Sequence, residues 1–432
     1  MSRAYLLGIV TVCWSGACSL LLGLDVSPAS AQDQKIPITG LADADLKSFD
    51  DMMLKFMRDH QVPGAALAVA KDGNLIYARG FGHADLELGL PVQPHMRFRI
   101  ASISKPITAV AILKLIEMGV LKMTDNPFAI LQIALPANAD RRLTKITIKH
   151  LLTHTAGWDR EKSFDPMFRP IVIAKKQRVN PPAEPMDIIR FMTTRKLNFD
   201  PGERHAYSNF GYCLLGRVIE KVSGQSYEAF VQKHVFDPIG VKHTQLGHTL
   251  TTAKDEVKYI DEKHRTGKAV VGPDRGKRVP LPYGAWYLEA MDAHGGWIST
   301  APDLVRFASA FDHPDKCKIL KPASIQMMFA RPEGRAGHKK DGTPKDMFYG
   351  CGWLVRSLGD DGKKINTWHN GALDGSSSLL VRRFDGLSWA VLFNSCHNPK
   401  GVFLCDLIDP LVHDAADQVK HWPKRNLFEK GG

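Results

Sequence analysis

Three short motifs group hydroxyl, amine, amide and imidazole side chains that can transfer protons, and the first is Ser102-Ile103-Ser104-Lys105. The i, i+3 spacing puts Ser102 and Lys105 on one face of a helix, within reach of each other. The segment that follows, to residue 118, is mostly apolar, which predicts a helix buried on most sides. Burial disfavours an ammonium group, and a neutral lysine can accept the proton of a serine hydroxyl. The pattern therefore makes Ser102 a candidate nucleophile at the start of a helix and Lys105 its candidate activator.

The second motif is Tyr207-Ser208-Asn209, which follows a Pro-Gly turn and precedes a helix with one apolar face. Tyr207 offers a phenol whose pKa nearby cations can lower until it acts as a base. Asn209 offers both a donor and an acceptor, for a substrate amide or for Lys105.

The third motif, His369-Asn370-Gly371, is expected at the end of a strand that begins near residue 365. A glycine there lets a substrate lie close against the strand edge. The backbone N–H of the next residue, Ala372, can then join that of Ser102 as an oxyanion hole.

Each motif also has a plainer interpretation. Ser102 and Asn209 are common helix-capping residue types, and a buried lysine stem often extends its ammonium group to water. Tyr207 and His369 can be ordinary packing residues, and Gly371 can belong to a turn. Taken together the motifs carry more weight, because a buried helix start, an inter-helix loop and a strand edge can meet where a helical region joins a sheet.

The elements that must position these motifs follow a strand–helix–strand order. An amphipathic helix is expected over 41–60, followed by a hairpin of strands 65–70 and 75–80. The middle, 101–330, is mostly helical, with a basic exposed loop at 263–278. Strands return at 348–356, 365–369, 376–384 and 387–394, before a last helix over 402–419. The predicted fold class is α+β, of the α/β sandwich type, with one antiparallel sheet built from both chain ends and a helical insertion.

Composition and charge narrow the function classes. The chain has 432 residues, 44% hydrophobic and 24% charged, and a formal charge of +12. This balance is typical of a globular protein with a sizeable core and excludes a disordered or polytopic membrane protein. The surplus of cations favours anionic surroundings.

Residues 1–31 are predicted to be an export signal. A short basic start and an apolar stretch lead to Ala29-Ser30-Ala31, an A-x-A cleavage pattern. The alternative is an uncleaved N-terminal anchor. After cleavage five cysteines remain, so at least one thiol is free. We expect an exported protein, periplasmic or extracellular, with a single catalytic domain over 38–420.

The three motifs together resemble those of the serine beta-lactamase and penicillin-binding-protein superfamily, and within it the class C beta-lactamase-like hydrolases and esterases. The resemblance runs from about residue 45 to 395 and includes the stretches 98–101, 151–157, 295–300 and 349–353. It implies that Ser102 is acylated and that Lys105 and Tyr207 share the proton relay. It also implies that Asn209 orients the substrate and that the N–H groups of Ser102 and Ala372 hold the oxyanion, beside His369 and Gly371.

One departure bears on the substrate. Many relatives that bind penicillins or D-alanyl peptides have Lys-Thr-Gly as the third motif, and its lysine helps to fix the substrate carboxylate. Here His369 takes that place, and an imidazole with an ordinary pKa near 6.5 is mostly neutral at pH 7. The substitution shifts the expectation from beta-lactams and free carboxylates towards esters or amides.

The leading hypothesis is an exported serine hydrolase acting on a small-molecule ester, amide or peptide, without cofactor or metal. Its rivals are a true beta-lactamase or D-alanyl-D-alanine carboxypeptidase, and a non-catalytic envelope-binding scaffold on the same fold. A nucleic-acid binder is disfavoured because the chain carries no binding motif of that kind. No further membrane span is expected after the signal.

Overall fold

An antiparallel sheet joins the two ends of the described chain. The structure, a computed structural model, describes residues 35–359 and 364–429, so the predicted export signal lies outside the described residues. The strands are β1 Ile38–Gly40, β2 Gly64–Lys71, β3 Asn74–Asp85, β4 Leu90–Pro91, β5 Phe98–Arg99, β6 Gln245–Leu246, β7 Thr266–Lys268, β8 Arg278–Pro280, β9 Trp297–Ser299, β10 Met347–Tyr349, β11 Leu354–Leu358, β12 Lys364–Leu373, β13 Ser376–Arg382 and β14 Leu387–Phe393.

The main sheet has the order β1-β3-β2-β14-β13-β12-β11-β10, with β4 beside β3. The N-terminal and C-terminal strands meet where β2 pairs with β14, in a register that places Ala65 opposite Phe393. The predicted sheet built from both chain ends is therefore confirmed. Smaller sheets form from β5, β9 and β6 and from β7 and β8.

Helices cover both faces of this sheet. They are α1 Lys47–His60, α2 Ser104–Glu117, α3 Pro127–Ile130, α4 Ile148–Leu152, α5 Pro170–Gln177, α6 Pro185–Thr193, α7 Asn209–Ser223, α8 Tyr227–Val231, α9 Asp292–Gly295, α10 Ala301–Ser309, α11 Pro322–Met328, α12 Gly334–Gly337 and α13 Leu404–Asp417. Helices α1 and α13 pack together on one face, while α10 lies on the other against β2, β13 and β14.

The sequence of β14 shows how one strand supplies two cores. Every residue from Leu387 to Phe393 is buried. Trp389 and Val391 belong to the core under α1 and α13, and Ala390 and Leu392 belong to the larger core that contains α2 and α7. The period-two alternation of side chains sends neighbours to opposite faces, and both faces are apolar because both are covered.

Three sequence predictions need correction in detail. The strand expected over 348–356 is divided into β10 and β11, because residues 350–353 turn the chain. The basic segment 263–278 is not simply a loop, since β7 and β8 pair within and beside it. Strand β12 runs to Leu373, so His369-Asn370-Gly371 lies inside a strand and not at its end.

Two further observations concern the residues that the structure describes. None of the helices in 35–359 and 364–429 is long and apolar enough to cross a membrane. The five cysteines in these ranges form no disulfide.

Candidate active site

The first and second motifs meet at the oxygen of Ser102. Ser102 lies in a 3-10 turn, Ala101–Ile103, that leads directly into α2. The Tyr207 hydroxyl donates a hydrogen bond to Ser102 Oγ at 2.8 Å, and Lys105 Nζ lies 3.0 Å from the same oxygen. Lys105 Nζ also donates to the carbonyl oxygen of His294 at 2.8 Å. Ser102 is only partly buried.

Lys105 has no exposed surface, and aromatic rings enclose its ammonium end. Its Nζ lies 4.7 Å from the centre of the Tyr207 ring and 5.8 Å from that of Tyr212. Burial lowers the pKa of Lys105 well below 10.5, although the Asp165 carboxylate partly opposes the shift. Loss of hydration is what lowers the pKa of this amine, as its place on a buried helix predicted.

Burial shifts the pKa of Tyr207 upwards, whereas it shifts the pKa of Lys105 downwards. Burial raises the pKa of Tyr207, and this effect exceeds the lowering caused by Ser102 and Arg160. Contrary to the expectation from sequence, nearby cations therefore do not lower the pKa of this phenol below its usual value. At neutral pH the phenol keeps its proton and acts as a hydrogen-bond donor to Ser102.

The turn that carries Ser102 is fastened to the sheet. Ala101 has φ +45°, in the left-handed region that a residue with a Cβ rarely adopts. Two serine hydroxyls of β13 hold the backbone just before it. Ser376 Oγ donates to the Arg99 carbonyl at 2.9 Å, and Ser378 Oγ donates to the Ile100 carbonyl at 2.7 Å. Such surroundings can maintain a strained residue at a functional position.

Gly371 packs against the same segment of backbone before Ser102. A Cβ placed on Gly371 would lie 2.2 Å from the Ile100 carbonyl oxygen and 2.4 Å from Ser378 Oγ. The sequence interpretation, that the glycine makes room for substrate, needs correction, because the space is filled by the backbone before the nucleophile. Pairing of β12 with β11 ends at Trp368. Ala372, beyond it, is exposed, and its role in an oxyanion hole stays a prediction.

His154 supports the loop that carries Tyr207. Its ring centre lies 4.4 Å from that of Tyr207, and its Nδ1 accepts a hydrogen bond from the Ser208 backbone N–H at 3.2 Å. Its carbonyl oxygen accepts from the Ala206 N–H at 2.8 Å. Ser208, and not Asn209, caps α7, because Ser208 Oγ accepts from the Gly211 N–H.

Asn209 donates to a partly buried carboxylate. Its Nδ2 donates to Asp165 Oδ2 at 2.6 Å, whereas its Oδ1 is buried and has no partner among residues 35–359 and 364–429. The expected partners were Lys105 or a substrate amide, and the structure instead assigns the donor end to Asp165. Burial raises the pKa of Asp165. Arg160 completes this side, with its guanidinium carbon 4.8 Å from the centre of the Tyr207 ring.

His369 contributes no positive charge to the site. Its Nε2 is 2.9 Å from the Tyr349 hydroxyl and its Nδ1 is 2.6 Å from the Asn370 carbonyl oxygen. Burial, with a smaller effect of Lys105, lowers the pKa of His369 to about 3. The imidazole is thus neutral at pH 7 by a wider margin than its ordinary pKa suggests.

The sequence reasoning missed four residues around the site. His154 and Tyr349 lie in stretches that the family resemblance singled out without giving them a role. Asp165 and Arg160 lie in a loop with no sequence signal, and only the fold brings them to Asn209 and Tyr207. In the described part of the chain, histidine, cysteine and acidic side chains form no group of three or more that could hold a metal ion.

Comparison with known proteins identifies the family of the chain. The family model described as Beta-lactamase matches residues 49–409, which is most of the chain. The chain belongs to the beta-lactamase family. Penicillin-binding protein 4* of Bacillus subtilis (strain 168) is 28% identical over 349 residues, which cover 76% of this chain and 66% of that protein. The chain spans less than two thirds of the length of the curated relatives it matches first.

Two solved structures have a similar architecture. The octameric penicillin-binding protein homologue from Pyrococcus abyssi is 26% identical, with a TM-score of 0.62 over 87% of this chain and 78% of that chain. EstCE1, a hydrolase with promiscuous acyltransferase activity, superposes with a TM-score of 0.65 over 88% of this chain and all of that chain. Its identity is 23%, so this second likeness concerns the fold alone.

Proposed function

We propose that this protein is an exported serine hydrolase that cleaves an ester or amide through an acyl-enzyme at Ser102. The observation that carries the proposal is the pair of contacts to Ser102 Oγ, one from a protonated phenol and one from an amine whose pKa is lowered by burial. A hydroxyl flanked in this way has a donor on one side and a proton acceptor on the other. That is the requirement for an activated nucleophile.

The proposed reaction has two halves. Ser102 Oγ attacks the substrate carbonyl carbon while its proton passes to Lys105 Nζ, and the N–H groups of Ser102 and Ala372 stabilise the oxyanion. The intermediate collapses to the acyl-enzyme as the leaving group takes a proton delivered through Lys105 and Tyr207. Water then attacks the acyl carbon, losing a proton to the same relay, and the acid leaves as Ser102 regains its proton.

The environment of Asn209 and His369 bears on the substrate class. A neutral His369 lacks the fixed cation that would hold a free carboxylate beside the scissile bond. Among the described residues, the buried Asn209 Oδ1 has no hydrogen-bond donor, so it could accept from a substrate N–H if its side chain moved on binding. These features favour a neutral ester or amide as the substrate. The alternative that we propose is hydrolysis of a beta-lactam or of a D-alanyl-D-alanine terminus.

The test is covalent labelling with a fluorophosphonate probe. We expect one labelled peptide containing Ser102, no label in Ser102→Ala, and full labelling in the matched variant Ser309→Ala, whose hydroxyl bonds only within its own helix. Turnover of a nitrophenyl ester should exceed that of a chromogenic cephalosporin. Equal absence of label in wild type and Ser102→Ala would instead favour a non-catalytic envelope-binding scaffold.

A further inference from the structure

A cavity near the proposed active site is lined only by basic side chains. Its volume is about 360 Å³, and its lining contains five cations and two histidines. The cations are Arg204, Arg335, Lys339, Lys340 and Lys345, and the histidines are His205 and His338. A cleft lined by charges of one sign concentrates the field and attracts ions of opposite charge.

A folded loop presents most of these cations. Residues 337–345 turn back on themselves, with backbone hydrogen bonds from Lys339 N–H to the Thr343 carbonyl at 2.8 Å and from Lys345 N–H to the Gly337 carbonyl at 3.0 Å. Lys345 Nζ donates to the Arg335 carbonyl at 2.7 Å. The loop therefore has defined contacts that hold its lysines around the cavity.

Carboxylates neutralise only part of this charge. Arg204 pairs with Asp159 at 2.8 Å, and Arg335 lies 3.7 Å from Glu203. Asp341, at the tip of the loop, accepts from its neighbour Thr343 and is fully exposed. Within 35–359 and 364–429, Lys339, Lys340 and Lys345 form no ion pair. Cations that lie close together around one cavity repel each other, and a bound anion would offset this repulsion.

The cavity adjoins the residues around the relay tyrosine. Arg204 and His205 directly precede the Ala206–Tyr207 segment. The His205 ring centre lies 5.7 Å from that of His154 and 5.6 Å from that of Tyr349. An anion in the cavity would thus lie beside the loop that carries Tyr207.

We propose that this cavity binds a phosphate-bearing anion of two or more charges and serves as a distal subsite for the substrate. Lysine ammonium groups and arginine forks both bind phosphate oxygens, and several cations around one cavity suit a multiply charged group. The subsite role rests on the proposed function, whereas the anion-binding role does not. The neutral His369 beside the nucleophile suits an uncharged reacting group of the substrate. The cations of the cavity suit a charged group at the far end of the same substrate.

The first experiment measures binding without catalysis. Calorimetric titration of the Ser102→Ala protein with inorganic tripolyphosphate at low salt should give one saturable site. The double variant Lys339→Gln/Lys340→Gln should bind at least tenfold more weakly. Lys420→Gln/Lys424→Gln removes the same charge beyond the end of α13 and should bind within twofold of the parent. Absence of saturable binding, or equal weakening in both double variants, would overturn the proposal.

The second experiment separates a substrate group from a free phosphate ligand. The substrates are a nitrophenyl ester with a phosphate at the far end of its acyl chain and its neutral analogue. If the cavity is a subsite, Lys339→Gln/Lys340→Gln should raise KM for the phosphorylated ester about tenfold without changing its kcat. Both KM and kcat for the neutral ester should stay the same. Tripolyphosphate should inhibit hydrolysis of the phosphorylated ester competitively. Tripolyphosphate binding without competition would keep the anion site and overturn its role as a subsite. If the fluorophosphonate probe failed to label Ser102 in the wild-type protein, the proposed function would be overturned. The binding of tripolyphosphate measured by calorimetry would be unaffected by that result.

Discussion

Two groups of lysines near the candidate site show how burial decides the chemistry of one residue type. Lys105 has no exposed surface, and its amine lies between a serine oxygen, a carbonyl and two aromatic rings. Lys339 and Lys340 lie on an exposed loop at the basic cavity, where water hydrates their ammonium groups. Desolvation lowers the pKa of the first, which suits it to accept a proton. The lysines of the exposed loop are in contact with water and are suited to attract anions.

The backbone is held rigidly near Lys105 and more loosely in the loop that carries Lys339 and Lys340. Before Ser102, the carbonyls of Arg99 and Ile100 are fixed by serine hydroxyls of the sheet, and Gly371 packs against them without room for a methyl group. The cationic loop is held by its own turn, and a Cβ on Gly342 would meet nothing within 4 Å. Proton transfer over about 3 Å needs fixed geometry, whereas attraction of a multivalent anion depends on net charge and tolerates movement.

The largest expected difference between the two groups is in their effect on the reactivity of Ser102. Lys105→Met should lower the rate of Ser102 labelling by about 10²–10⁴-fold, because the proton acceptor is lost while the apolar stem is replaced by one of similar size. Lys340→Met, the same change in the basic cavity, should alter labelling by less than about twofold. Stopped-flow labelling with the fluorophosphonate probe measures both rates. Similar losses in the two variants would remove the distinction between a buried proton acceptor and a surface cation.

The parts of this architecture that could be predicted from sequence are those with local signals. The strand at 387–394 follows from the Asp385-Gly386 turn before it, and the spacing of Ser102 and Lys105 predicts a pair on one helix face. The hairpin at 71–74 follows from its Asp-Gly turn. In each case the residues that define the element are neighbours in the chain.

The features that could not be predicted depend on contacts between distant segments. The packing of Gly371 against Ile100, and the bond from Asp165 to Asn209, exist only once the sheet and the helical region have assembled. The same holds for the pKa values of Tyr207 and His369, which burial determines and residue type does not. The basic cavity likewise combines Arg204 with a loop more than a hundred residues later in the chain.

A second, smaller difference should appear in stability. Gly371→Ala forces a methyl group to within 2.2 Å of a backbone oxygen, so the turn before Ser102 must shift. We expect a loss of about 3 kcal/mol in the free energy of unfolding, together with slower labelling of Ser102. Gly342→Ala meets no atom but retains φ near +84°, which should cost about 1 kcal/mol and leave labelling unchanged. Urea unfolding of both variants measures the contrast, and equal losses would contradict the close packing at Gly371.

A third difference is a pH dependence of stability. Because folding lowers the pKa of Lys105 from its usual 10.5, the unfolded chain binds this proton more tightly than the native protein does. Between the lowered pKa and 10.5 the unfolded state therefore holds more protons, and the free energy of unfolding gains a contribution that rises with pH. Below the lowered pKa both states are protonated, so the contribution no longer changes.

Comparison with Lys105→Met isolates this contribution, since the other titrating groups are common to both proteins. The free energy of unfolding of wild type minus that of Lys105→Met should increase with pH across this window, by up to about 1.4 kcal/mol per pH unit. Lys340→Met, which removes a lysine from an exposed loop, is the matched control for the loss of a lysine side chain. Urea titrations at pH values from 6 to 9.5 measure both differences. A flat difference for Lys105→Met would mean that the buried amine titrates near 10.5, in which case it would be protonated at neutral pH and could not accept the Ser102 proton.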